Sequence, residues 1–434
     1  MNKQYLLGVD LGTSSTKAAL YTADGRLVAE AVAEVPLYYP KPGLVEQENE
    51  DFYRTAAQTI HECVHQSGID PRQIAALAFD SQMAGVGAID ENYQAAIRFD
   101  SWLDMRCQPY IEYIDTHFGE QVTRLTGCPP TCDHGPKILW WKEERPQEYI
   151  RIAKFLMPSA YVAGRMAGLA ANDAFIDTTF LHFTALSDAQ NGVWSDELCA
   201  ALDVDQAKLP HIVEPWHVVG EVTEQAAAEF GLAPGTLIAA GCGDTAANAL
   251  GAGVVRPGML FDVAGTASVL AASTDTYFAD VENRALLTMR SVIPGLWNPL
   301  AYIGGGGQAL RWFRDHFFNT LHGEQQGWTY ELYDQMIDLA ARVPPGSDGL
   351  FFSPHLGGRI CPATPEMRGA WIGFSWSHQQ AHFARSILES IAYEYAYYLR
   401  ILRQAVPNLA LTETRAIGGG ARNNVWNQIK ADVL

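Results

Sequence analysis

Four short glycine-rich turns constrain this chain more than any other feature of it. Asp10-Leu11-Gly12-Thr13-Ser14-Ser15 continues the apolar run from Tyr5, and Asp262-Val263-Ala264-Gly265-Thr266-Ala267-Ser268 continues the one from Leu260. Gly304 to Gly307 follows Ala301-Tyr302-Ile303, and Ile417-Gly418-Gly419-Gly420-Ala421 completes the set. Glycine lets the backbone turn sharply and approach a ligand closely, and N–H groups exposed in such turns point at anionic oxygens. Taken singly each reads as a structural turn; together, three of them closing an apolar strand, they read as a phosphate-binding framework. The first two resemble one another as hairpin turns, the second carrying an extra residue before its Gly-Thr. Neither a Gly-x4-Gly-Lys-Ser/Thr loop nor a Gly-x-Gly-x2-Gly turn opening a βαβ unit is present, so a nucleotide would be held in another way.

The segments between the turns alternate strand and helix. Thr16 to Tyr21 has a β pattern, Asp24-Gly25 marks a hairpin, and Arg26 to Val35 forms its second arm. Glu50 to Gln66 reads as a helix and Ile74 to Asp80 as an apolar strand. A second block of this kind opens with Thr236 to Ala240, which runs into Gly241-Cys242-Gly243-Asp244. The mixture predicts an α/β fold. Ser377 and Gln380 form a capping-box pattern ahead of a long helix, whose apolar face is Phe383, Ile387, Ile391, Tyr395, Leu399 and Leu402. Tyr393, Tyr397 and Tyr398 beside that face read as packing residues.

Composition excludes several classes. The 434 residues carry 30 Lys+Arg against 49 Asp+Glu, a net charge of −19, which argues against nucleic acid or anionic membrane as the main partner. A small phosphorylated ligand stays compatible, because a few backbone N–H groups can hold it locally. With 48% hydrophobic and 18% charged residues the chain is neither disordered nor collagenous nor a coiled coil. No signal peptide or membrane span is read, and seven scattered cysteines suit a reduced, cytoplasmic protein. Cys128, Cys132 and His134 have the spacing of half a metal site, but no second Cys or His pair follows at zinc spacing, which argues against one.

An ordered series of motifs then resembles the FGGY carbohydrate kinases, most closely their xylulokinase-like branch. It runs from Asp10-Leu11-Gly12-Thr13-Ser14-Ser15 with Lys17 through Ser81-Gln82-Met83-Ala84-Gly85, Trp102-Leu103-Asp104-Met105-Arg106 and Pro136-Lys137-Ile138-Leu139-Trp140. Gly241-Cys242-Gly243-Asp244, Gly265-Thr266, Gly369-Ala370-Trp371-Ile372-Gly373, Ser386-Ile387-Leu388-Glu389 and Gly418-Gly419-Gly420-Ala421-Arg422 follow in order. The resemblance implies two ribonuclease-H-like domains of the actin-like ATPase superfamily, with a ligand cleft between them. The expected boundaries are 1–246 for the sugar and phosphate side and 247–434 for the nucleotide side. Relatives continue beyond the residue matching Leu434, so the second domain is expected to be truncated at its C-terminus.

The resemblance also implies roles. Asp244 matches the general base that accepts the sugar hydroxyl proton, and Asp10 matches the residue that organises Mg2+. Gly12, Thr13, Ser14, Ser15 and Lys17 would steady the ATP phosphates, with Gly265 and Thr266 as the matching turn of the second domain. Gly307, Arg311, Gly420, Ala421 and Asn423 fall where the family holds ATP's nucleoside and phosphate end. Gln82, Met83, Trp102, Asp104 and Arg106 match substrate-facing positions, with Asp104 and Arg106 able to grip hydroxyls or to form a buried ion pair instead.

Two departures bear on the substrate. Ala84 stands where xylulokinases usually have His, and Thr245 where they usually have Asn, and both remove polar reach toward the sugar. His134 and Trp141 also depart from the usual residue types. The expected activity is ATP-dependent phosphorylation of a small ketose such as xylulose, or of a polyol. The alternatives are a sibling kinase for a tetritol, another pentulose or a deoxy-sugar, and a sugar- or nucleotide-binding regulator that has lost catalysis. A homodimer is expected at family level.

Overall fold

The computed structural model describes residues 4–265, 267–318 and 330–434. It divides into two units, one formed by Met1–Asn248 with Met289–Pro294 and the other by Ala249–Thr288 with Gly295–Leu434.

The first unit is built on a six-stranded sheet. Strands β1 (Tyr5–Leu11), β2 (Ser15–Thr22) and β3 (Leu27–Glu34) form an antiparallel meander. On the other side of β1 lies β4 (Ile74–Ser81), parallel to it, then β5 (Leu237–Gly243), parallel to β4. Parallel neighbours need a crossover, and helix α1 (Asn49–Ser67) supplies the one between β3 and β4. Its buried face is Phe52, Tyr53, Ala56, Ile60, Cys63 and Val64 at helical spacing, and Gly68, at φ 66°, ends it. A second core lies under helix α2 (His134–Glu144), around Ile97, Ile114, Ile138 and Phe155. Helix α3 (Asp244–Gly251) starts at the residue after β5, so Asp244 occupies a strand-to-helix junction.

The second unit repeats the central motif. Strands β6 (Met259–Ala264) and β7 (Ser268–Ala272) form a hairpin, and β8 (Trp297–Ile303) pairs antiparallel with β7. Helix α4 (Gly306–Phe313) starts just beyond the end of β8. Strand β9 (Glu413–Ile417) lies parallel to β6 on its other side. Strand β9 reads Glu-Thr-Arg-Ala-Ile and is largely exposed. Helix α5 (Gln380–Ala405) crosses this unit with Ile387, Ile391, Tyr395, Leu399 and Leu402 in the core. Its capping box is Gln379 with His382, not Ser377 with Gln380, because Ser377 Oγ lies 2.9 Å from Ser375 Oγ in the preceding turn. Helix α6 (Asn424–Val433) packs against α5.

The two glycine hairpins differ by one residue, with a structural consequence. In the first, the last cross-strand pair is Leu11 with Thr16, and Gly12 N bonds Ser15 O across the turn. In the second, the last pair is Ala264 with Ser268, and Gly265 N bonds Ala267 O. Counting back from the turns, Val263 and not Asp262 occupies the position of Asp10, and strand alternation puts Asp262 on the other face. There it is buried, accepting from Tyr395 Oη at 2.6 Å and from Lys430 Nζ of α6.

Candidate active site

Three parallel strands of the first unit end in carboxylates. Asp10 in β1 lies in register with Asp80 in β4, and Asp80 with Cys242, two residues before Asp244. Lys17, opposite Asp10 across the hairpin, donates to Asp10 Oδ2 at 2.8 Å, and that hydrogen bond raises the lysine's pKa. Burial pushes Asp80 well above the usual carboxylate range, and the charges of Asp10 and Asp244 push it further. Burial, with Asp10 adding to it, also brings Asp244 up to about 6, against the Thr245 hydroxyl, which donates to Asp244 Oδ1 at 3.1 Å, and Lys17. Negative charge here exceeds what one ammonium offsets. Hard carboxylate oxygens of this kind fit Mg2+, which usually keeps several waters and takes one or two carboxylates. Among the described residues no three His, Cys, Asp or Glu side chains are grouped to hold a metal ion by themselves.

Beside this cluster the first turn is braced by amides and an indole. Trp102 Nε1 donates to Thr13 Oγ1 at 2.9 Å, and Gln47 Nε2 donates to Thr13 O at 3.0 Å. Gln82 is 1% exposed, donates to Gln47 Oε1 at 2.7 Å and accepts from Thr13 Oγ1 at 3.4 Å. Thr13, Gln82 and Trp102 are therefore brought together, with Gln82 holding the turn. Ser14 is exposed and Ser15 half-buried. Gly12 leaves little room, since a Cβ there would lie 3.0 Å from Ser15 O. Met83 is buried against Gly243, where a Cβ would come within 2.5 Å of Met83 Cε. Ala84 holds φ 57°, which is unusual for a residue other than glycine.

Asp104 and Arg106 realise the ion-pair alternative. Asp104 is fully buried; one oxygen accepts from Val45 N at 2.6 Å and both accept from the Arg106 guanidinium at 2.7–2.8 Å. The Arg106 side chain is 4% exposed, also binds Glu46 at 2.6 Å and Asp100 at 3.2 Å, and stacks 4.8 Å from the Trp140 ring centroid. Burial pushes Asp104 up, but the Arg106 hydrogen bonds outweigh it and hold the carboxyl low. Lys137 Nζ ties the same loop through Ser101 O and Asp104 O. These groups are engaged with one another in the ion-pair arrangement. Cys132 Sγ likewise donates to Trp102 O at 3.3 Å and serves the loop.

In the second unit three glycine turns converge on the end of β6. Gly307 N donates to Gly265 O at 3.0 Å. A Cβ on Gly306 would sit 2.1 Å from Ser268 Oγ, and one on Gly420 2.8 Å from Ala264 Cβ. The close packing leaves backbone lining the turns, as a phosphate cradle requires. Gly265, Gly307, Gly420 and Ala421 thus lie around one strand end; Thr266 lies outside the described residues. Asn423 uses its side-chain oxygen to cap α6, accepting from Trp426 N at 2.8 Å. Arg311 is 53% exposed on α4 and lies 3.8 Å from Asp315.

Two participants escape the sequence reading. Asp80 ends an apolar strand just as Asp10 does, and that parallel is the signal that could have found it. Gln47, in a short extended segment, carries no such signal.

The chain belongs to the FGGY family of carbohydrate kinases: the family's N-terminal domain model matches residues 5–251 and its C-terminal domain model residues 260–434. It is therefore a phosphotransferase acting on a carbohydrate, and the kinase family implies ATP as donor. The chain is 28% identical to the xylulose kinase of Bacillus subtilis (strain 168), over 99% of this chain and 83% of the relative. It is equally 28% identical to the gluconokinase of the same organism, over the same shares of each. The solved xylulose kinase from Rhodospirillum rubrum superposes with a TM-score of 0.90 at 26% identity, covering 99% of this chain and 84% of that one. Among the described residues no helix is long and apolar enough to cross a membrane.

Proposed function

We propose that this protein transfers the γ-phosphoryl group of ATP in line to a hydroxyl of a small sugar, a ketose such as xylulose or a polyol, with Asp244 as general base. The observation that carries this reading is the placement of Asp244. It is the first residue of a helix at a strand end, raised to about 6 and in the field of Asp10. A carboxylate near that value is ionised at neutral pH yet basic enough to take a hydroxyl proton as attack proceeds. Thr245 Oγ1 holds one Asp244 oxygen and so orients the other. Asp10, with Asp80 beside it, would hold Mg2+ through water, and the bound ion would offset phosphate charge. The backbone of Gly12 to Ser15 and Lys17 would steady the β- and γ-phosphates, and Gly265, Thr266, Gly307, Gly420 and Ala421 would receive the rest of the nucleotide. Arg311 would add charge there. Met83 and Trp102 would border the sugar, and Gln82 would act on it through the turn it braces.

Ala84 and Thr245 reduce the polar reach expected for xylulose, and the equal identity to a gluconokinase widens the panel to test. Coupled ADP release is measured against ketoses, polyols and gluconate, with Asp244→Asn as control. One substrate should stimulate ADP formation at least tenfold, and Asp244→Asn should remove ~10² or more of that rate. ATP binding with no stimulation by any substrate would favour the regulator reading. A fully active Asp244→Asn would displace Asp244 as base.

A further inference from the structure

The strand that ends at Asp244 is held from outside its sheet. Pairing of β5 with β4 slips between Ala239 and Cys242, around Gly241 at φ 77°. Past the slip, Gly243 N donates to the hydroxyl of Thr179 at 2.8 Å. Thr179 is the second residue of the 3-10 turn Thr178–Phe183, far away in sequence, and is fully buried. Its hydroxyl donates to Asp177 Oδ1 at 2.5 Å, the oxygen that also accepts Thr179 N at 2.9 Å. A hydroxyl has one proton. Because Asp177 takes it, a lone pair of Thr179 Oγ1 must face Gly243 N–H. The direction of the relay is thus set by a carboxylate that is itself only 2% exposed.

We propose that Asp177 and Thr179 are positioning residues for the phosphoryl transfer, fixing the Cys242–Gly243 peptide, one residue ahead of Asp244, and with it the aim of the Asp244 carboxylate. The inference rests on the reading of Asp244 as the base. Neither residue touches the reacting groups; their effect passes through one backbone amide. A displacement of about 1 Å at a reacting group can cost ~10²-fold in rate, so a hydroxyl at this distance can govern turnover without binding substrate.

The test compares wild type, Thr179→Val, Thr179→Ser and Asp244→Asn by two measurements. Amide hydrogen exchange resolved to Gly243 reports the contact directly and needs no turnover. Steady-state kinetics with the best substrate of the panel report its consequence. Thr179→Val should exchange the Gly243 amide at least tenfold faster and lower kcat about 10- to 100-fold, with the KM for ATP changed less than twofold. Thr179→Ser, which keeps the hydroxyl, should restore both. Asp244→Asn should be inactive with wild-type exchange at Gly243. Wild-type exchange or wild-type kcat in Thr179→Val overturns the proposal, as does a loss that Thr179→Ser does not recover. Retained activity in Asp244→Asn overturns the base assignment instead. If no substrate turns over, the kinase reading fails, and exchange alone decides whether Thr179 holds Gly243.

Discussion

At the scale of single residues, Arg106 shows how one guanidinium organises a buried loop. It faces Asp104, Glu46 and Asp100, and burial, its largest influence, brings Asp100 up to about 6 even with the arginine present. Removing one partner of a buried ionic group leaves uncompensated charge, which costs about 3–5 kcal/mol. Arg106→Met keeps an unbranched chain beside Trp140 but no charge, and urea unfolding should show a loss of that size. The KM for sugar in the remaining folded enzyme should stay near wild type, whereas an arginine that gripped substrate would raise it sharply. The two-residue spacing of Asp104 and Arg106 makes a pair legible in the sequence. It does not tell grip from brace, because that depends on Val45, Glu46 and Trp140, which only folding brings there.

At the scale of elements, α6 is fastened to β6 by a single charge pair. Lys430 and Asp262 are both nearly inaccessible, and Tyr395 of α5 completes the carboxylate's partners. Lys430→Met would leave Asp262 buried without its cation, again a cost of about 3–5 kcal/mol. Hydrogen exchange of β6 and α6 should accelerate in this variant while β1 and β4 keep wild-type protection. The strands and helices themselves were largely readable, since hydrophobic period and turn glycines agree from Tyr5 to Ser81 and again from Leu260 to Ala272. The misread cap has a local cause: Gln379 and His382 form the reciprocal box at the start of α5.

At the scale of the molecule, charge burial is unequal between the units. Asp80, Asp100, Asp133, Asp177 and Asp244 are all raised, chiefly by burial, with Asp177 at about 7, and all lie in the first unit. In the second unit Glu394 is lowered, since His355 and Arg359 outweigh the burial that would raise it. A raised carboxyl binds a proton in the native state that the unfolded chain has released, so its stabilisation falls as pH rises from about 4 through the folded value. His134 and His182, both brought by burial to about 3, act in the opposite sense, two groups against five. The first unit should therefore lose stability between pH 5 and 7.5, at about 1.4 kcal/mol per pH unit for each net proton. Thermal unfolding followed by hydrogen exchange at several pH values would measure the loss. The strand-end acids Asp10 and Asp244 could be picked out in the sequence because each stands in a glycine-containing motif that resembles the family's. Asp80 offered only the parallel of ending an apolar strand as Asp10 does, and Asp177 and Thr179 offered nothing, because their significance lies in partners that are distant along the chain.

The extra residue before Gly265 deserves a last consequence, which is one of parity. Two hairpins of the same design differ by an odd number of residues between acid and turn, and a strand has only two faces. One hairpin therefore shows its acid to the surface where Lys17, Asp80 and Asp244 gather; the other turns its acid inward, onto a tyrosine and a lysine. A similar motif becomes part of an acid cluster in one unit and an internal rivet in the other. The division of labour between the halves of the molecule is thus written as odd or even, in the count of a single residue.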